Sequence, residues 1–105
     1  MQFKGTCASG GKAEGNLCIV HDFREIDHCK KNDVVLLVKI KPTIPLIKMS
    51  SAILAIHGGV TSHAAIIARE NNKPAIVSLS EEILQHVKNG DRVEVDADSG
   101  VVNIL

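Results

Sequence analysis

Between residues 52 and 77 the chain runs from the apolar stretch Ala52–Ile56 through Gly58-Gly59 into Val60-Thr61-Ser62-His63-Ala64-Ala65-Ile66-Ile67-Ala68-Arg69-Glu70. It then passes Lys73-Pro74 into a second apolar stretch, Ala75–Val77. This pattern constrains the fold more than any other part of the sequence. Two glycines free the backbone for a tight turn or a close approach to a ligand. Thr61 or Ser62 can cap the first exposed amides, and Ala-Ala-Ile-Ile-Ala contains no helix breaker. Asn71-Asn72 ends the run and Pro74 stops it. The spacing therefore predicts a helix over 62–71 between two buried strands. His63 falls in the first helical turn, where unpaired N–H groups and the positive dipole end favour an anion.

The remaining segments read as short strands and turns. Lys4–Ser9 and Asn16–His21 are expected strands joined by a glycine-rich turn over Gly10–Gly15, and Phe23–Lys31 a connecting helical turn. Val34–Ile40 is nearly all apolar and β-branched, which suits a strand covered on both faces. Pro42 and Pro45 break the chain before a short helical turn over Leu46–Met49. Ser80-Glu81-Glu82 opens a second helix, with a polar cap, an acidic first turn and Ile83, Leu84 and Val87 on its apolar side. Asn89-Gly90 ends it. Arg92–Val95 and Val101–Leu105 are predicted to pair as a hairpin across Asp98-Ser99-Gly100. The class is α/β, and residues 1–105 read as one small domain without repeats or linkers.

Charge and composition exclude several functions. Twelve basic and twelve acidic residues cancel, which gives no electrostatic reason for nucleic acid or an anionic membrane as partner. Trp and Tyr are absent and only Phe3 and Phe23 are aromatic, so the core must be aliphatic. The apolar runs fall far short of the ~20 residues of a membrane helix, and no signal segment opens the chain. A soluble cytoplasmic protein is expected. Cys7, Cys18 and Cys29 are odd in number and widely spaced, which argues against a disulfide framework or a metal hook. His21, His28 and Cys29 lack a suitably spaced fourth ligand for zinc. Reduced, largely buried cysteines are expected.

His63 carries the candidate chemistry. A histidine accepts a phosphoryl group only as the neutral imidazole, and the positive end of a helix repels the imidazolium charge. The same amides and hydroxyls can then hold the phosphate oxygens, so one geometry serves both states. The same residues also suit a plain capped helix start with a structural histidine. A small anion-binding domain without covalent transfer is a further reading.

Gly58-Gly59-Val60-Thr61-Ser62-His63-Ala64-Ala65-Ile66-Ile67-Ala68-Arg69-Glu70 followed by Lys73-Pro74-Ala75-Ile76-Val77 resembles the signature of the swivelling phosphohistidine domain of phosphoenolpyruvate-utilising enzymes. That family includes phosphoenolpyruvate synthase, pyruvate phosphate dikinase, enzyme I of the sugar phosphotransferase system and rifampicin phosphotransferase. Weaker likenesses fall in the right order: Gly5–Gly15 at the opening, Asp33–Val38, Thr43-Ile44-Pro45, Asn89–Asp96 and Ser99–Val102. Four positions depart from the family's pattern. His57 stands where an acidic or polar residue is frequent, Leu46 where an Asp commonly follows the Thr-x-Pro turn, and Ser78 and Ala97 where glycine is usual.

The resemblance implies a layered β/β/α swivelling domain, its strands forming a sandwich with two main helices. It implies that His63 accepts a phosphoryl group through Nε2, from phosphoenolpyruvate or ATP handled by partner domains, and passes it on. Thr61 and Ser62 would cap the helix and bond the phosphate, and Gly58 and Gly59 would let the loop approach a partner's active site. Thr61 also matches a regulatory phosphorylation site of the plant dikinases. Arg69 belongs to the motif but lies six residues beyond His63 on another helix face, which favours a salt bridge or interdomain contact over a phosphate clamp. His57 reads as a strand-end side chain, or as a group that tunes His63 or touches a partner.

The implied partners are a phosphoenolpyruvate/pyruvate-binding barrel domain, with its Mg²⁺, and an ATP-grasp nucleotide-binding domain. The chain has no nucleotide loop and no carboxylate cluster for Mg²⁺, so no cofactor is expected on this domain. It is expected to act as a carrier within a phosphotransferase and not as a complete enzyme. The alternative is a non-catalytic regulatory or interaction module that keeps the fold.

Overall fold

The structure, a computed structural model, describes residues 1–57, 59 and 62–105. Among the described residues eight strands lie in chain order: β1 (Gln2–Lys4), β2 (Thr6–Ser9), β3 (Lys12–Val20), β4 (Val34–Leu37), β5 (Ala52–Ala55), β6 (Ala75–Val77), β7 (Arg92–Asp96) and β8 (Val101–Ile104). Helix α1 (Ile44–Met49) precedes β5 and helix α2 (His63–Glu70) follows it. The strands are hydrogen-bonded in the order β1-β8-β7-β3-β4-β5-β6-β2.

The nine-residue β3 makes this order into two layers. Its first half, Lys12–Asn16, pairs antiparallel with β7, whereas Leu17–Val20 pair parallel with β4. One half-sheet is therefore the antiparallel set β1-β8-β7-β3, and the other is β3-β4-β5-β6 in parallel with β2 antiparallel at its edge. Alternation across the pleat then sends neighbours to opposite sides. Val34, Leu36, Ala52, Leu54 and Ile76 pack against Val93, Val95 and Val102 of the antiparallel half. Val35, Leu37, Ile53, Ala75 and Val77 pack against α1 and α2. This is the layered β/β/α arrangement, and it explains why β4, β5 and β6 are buried along their whole length.

The glycine-rich turn is shorter than its composition suggests. Only Gly10 and Gly11 turn the chain, with the Gly11 N–H donating to Asp98 Oδ1 at 3.1 Å, and β3 resumes at Lys12. Gly15 lies inside β3, near where it leaves β7 for β4. A Cβ there would fall 2.6 Å from the Asn32 carbonyl oxygen, so this glycine serves a close backbone approach and not a turn.

The expected second helix is a five-residue 3-10 segment, Glu81–Gln85, capped by Ser80 Oγ, which accepts from the Glu82 N–H at 3.2 Å. It cannot lengthen because the following residues are tied to β3. Asn89 Oδ1 accepts from the Ile19 N–H at 2.6 Å, and the Gly90 N–H donates to the Leu17 carbonyl at 2.8 Å. Phe23–His28 is also 3-10, opened by Asp22, whose side chain accepts from the Arg24 N–H at 2.8 Å. That hydrogen bond holds the Asp22 carboxyl below its ordinary range.

The cysteine expectation is corrected. Cys18 and Cys29 form a disulfide across 11 residues, their Cα atoms 5.6 Å apart, and the free thiol Cys7 is exposed. Spacing in sequence misled here, because the 3-10 segment folds back beside β3 and brings two distant residues within bonding range. The cysteines therefore give no argument for a reducing compartment. Three of the four departures from the family pattern also find their place. Leu46 and Ala97 fill buried core positions, and Ser78 adopts a left-handed φ of 59°, the conformation that favours glycine.

Candidate functional site

Helix α2 is laid down by small residues. Ala64, Ala65, Ile67 and Ala68 are buried, while His63, Ile66 and Glu70 face outward at helical spacing. Ser62 is the N-cap: its Oγ accepts from the Ala65 N–H at 3.4 Å and its carbonyl from the Ile66 N–H at 3.0 Å. Helix geometry leaves the N–H groups of His63 and Ala64 without an intrahelical acceptor. His63 is thus an exposed imidazole on the first residue of a capped, eight-residue helix.

Of the other sequence-predicted residues, Gly59 is exposed, its carbonyl accepts from the Ser62 N–H at 3.0 Å, and a Cβ placed on it would meet nothing within 4 Å. Gly58 and Thr61 lie outside the described residues. Arg69 is exposed in the last turn of α2, about 9 Å further along the helix axis than His63. Helix α2 does not bring the two together.

A cavity of about 400 Å³ opens beside His63, beyond the carboxyl ends of β4 and β5. Leu37, Ile40, Pro42, Ala55 and Ala64 supply its apolar lining, and Lys39, Lys41, His57, Ser62 and His63 its polar one. Parallel α/β sheets place ligands at this end of their strands. His57 lies on the same cavity and pairs through Nε2 with Glu81 Oε1 at 3.2 Å, both side chains being more than half exposed. That contact ties the end of β5 to the 3-10 segment at Glu81–Gln85. Sequence reasoning passed over Lys39 and Lys41. The available signal was the alternation Lys39-Ile40-Lys41-Pro42 directly after a fully apolar strand.

Residues 29–100 match the family model described as "PEP-utilising enzyme, mobile domain". The chain belongs to this family. Among its relatives, a probable phosphoenolpyruvate synthase of Pyrococcus horikoshii is 41% identical over 94% of this mobile domain. The phosphoenolpyruvate synthase of Pyrococcus furiosus is 37% identical over the same share. An uncharacterized phosphotransferase of Bacillus subtilis is 33% identical over 96% of the chain. The mobile domain spans only 12% of the length of each of these relatives. A solution structure of enzyme I superposes with a TM-score of 0.61 at 32% identity, over 75% of this chain and 33% of that one. Aconitase X of Thermococcus kodakaraensis superposes with a TM-score of 0.79 at 20% identity, over 100% and 98% of the two chains, a likeness of fold alone. Among the described residues no helix is long and apolar enough to cross a membrane.

Proposed function

We propose that this mobile domain is a phosphoryl carrier whose acceptor is His63. One observation carries the reading: the single histidine of the Thr61-Ser62-His63-Ala64-Ala65 motif stands exposed at the capped start of α2, on the lining of an open cavity. The Nε2 lone pair of the neutral ring attacks phosphorus as the donor P–O bond breaks, and the bond electrons leave with the donor oxygen. The N–H groups of His63 and Ala64 and the hydroxyls of Ser62 and Thr61 receive the phosphoryl oxygens. Transfer onward reverses the step on an acceptor oxygen.

The donor sites lie outside this chain. A barrel domain with Mg²⁺ supplies phosphoenolpyruvate chemistry and an ATP-grasp domain supplies nucleotide chemistry, in the same protein or in a partner. The carrier swings between them, and the open space around Gly59 lets its reacting end approach a partner's active site. This reading leaves the domain an incomplete enzyme by design, because an aliphatic scaffold presenting one nucleophile needs no substrate pocket of its own.

The test is direct. The chain is incubated with radiolabelled phosphoenolpyruvate, Mg²⁺ and a Pyrococcus phosphoenolpyruvate synthase whose own mobile domain has been removed. Label that is acid-labile and alkali-stable is expected on the wild type and is lost in His63→Ala. Label retained by His63→Ala overturns the assignment. Absence of label with this and with an ATP-dependent donor favours an interaction module.

A further inference from the structure

The polypeptide leaving β4 carries two lysines into the His63 cavity. Ile40 packs half-buried against the helix-side core and Pro42 is buried, so the backbone between them is anchored. Lys39 and Lys41 flank Ile40, are exposed, and line the same cavity as His63. Among the described residues neither ammonium group forms an ion pair. Among the described residues no acidic one lines this cavity; Glu81 is held by His57, and Asp22, which shares a neighbouring hollow with both lysines, pairs with Arg24 at 3.5 Å. Two exposed ammonium groups that pair with no carboxylate among the described residues are free to meet an anion that enters the cavity.

We propose that Lys39 and Lys41 form a phosphate-binding wall of this cavity, taking the oxygens of the phosphoryl group carried on His63. The proposal rests on the carrier reading and extends it to residues outside the motif. The wall complements the helix start. The amides of α2 approach the phosphoryl group along the helix axis, whereas the lysines approach it from the β4 side, so the dianion is held between two elements. Lysine suits this use, because a compact point charge on a flexible stem can follow the group as the domain changes partners. The apolar lining from Leu37, Ala55 and Ala64 lowers the local polarisability and strengthens the attraction.

The test needs no partner protein. Phosphoramidate phosphorylates exposed imidazoles: the ring nitrogen forms the N–P bond, the P–N bond of the reagent breaks, and ammonia leaves with a proton. The ³¹P resonance of phospho-His63 is the one missing from His63→Ala treated in the same way. In the wild type the phosphoryl group should titrate lower than in Lys39→Gln/Lys41→Gln by about half a pH unit or more. It should also hydrolyse at a different rate, and Lys39→Arg/Lys41→Arg should restore the wild-type midpoint. Circular dichroism confirms that each variant is folded. Equal midpoints and equal lifetimes in wild type and the Gln variant overturn the wall. Failure of a phosphoenolpyruvate- or ATP-dependent donor to label His63 overturns the carrier reading instead, and the chemical route keeps the two outcomes apart.

Discussion

The two cores of this domain are built differently. Between the half-sheets, Leu17, Ile19, Leu36, Leu54, Ile76 and Ile83 interlock with Val93, Val95 and Val102, and only Ala52 and Ala97 are small among the buried residues there. Between the mixed half-sheet and the helices, six buried positions are alanine: Ala8, Ala55, Ala64, Ala65, Ala68 and Ala75. Bulky branched side chains fill the first interface. Small side chains in the second let α2 lie close to the sheet, which fixes the height of His63 above β5. One layer is a frame and the other a mounting. The disulfide belongs to the mounting, since Cys18 and Cys29 both pack on the helix side.

This contrast is broken most forcefully through the frame. Leu54→Ala removes a fully buried side chain of the central strand β5, and truncations of this kind cost about 2–5 kcal/mol. Urea denaturation should show that loss. The fraction still folded should label His63 at the wild-type rate, because Leu54 faces away from α2. A proportionate loss of labelling per folded molecule would show that frame and mounting are one energetic unit.

The disulfide offers a middle-sized test on the other layer. Closing a loop of 11 residues stabilises a chain by about 2–3 kcal/mol in the loop-entropy account. Cys18→Ser/Cys29→Ser, or a thiol reductant added to the wild type, should lower the urea midpoint to the same degree. An unchanged midpoint would mean that packing of Ile26 against the core holds the Phe23–His28 segment without the bridge.

Much of the frame, and the position of His63 at the start of a helix, were legible from residue order. The helix over 62–71 and the strand over 75–77 could be read because local signals agreed: glycine before, a hydroxyl cap, alanines within, asparagine and proline after. The edge strand β1 was missed, because Gln2-Phe3-Lys4 is too short to show a pattern and is a strand only through pairing with Val101–Asn103. Gly15 was read as part of a turn because a glycine's reason, here the Asn32 carbonyl, lies elsewhere in the chain. The disulfide and the lysine pair share that obstacle. The disulfide depends on the β3–β4 connection folding back on β3, and the lysine pair on the parallel pairing of β4 with β5; the alternation Lys39-Ile40-Lys41-Pro42 is local, but the cavity it borders is not.

The smallest expected effect separates two duties of Ser62. Its Oγ caps α2 and its side chain also lines the His63 cavity. Ser62→Ala removes the cap, and the long 3.4 Å bond places the cost at the low end, about 0.5–1 kcal/mol. Ser62→Asp keeps a good N-cap, since aspartate serves that position as well as serine, and a negative charge there suits the helix dipole. Its stability should equal or exceed that of the wild type. Its carboxylate, however, stands where phosphoryl oxygens are to be received, so donor-dependent labelling of His63 should fall roughly tenfold, the effect of about 1.4 kcal/mol of repulsion. If Ser62→Asp labels at the wild-type rate, the hydroxyl is a cap and nothing more, and the phosphoryl group must rest on the amides and the lysine wall.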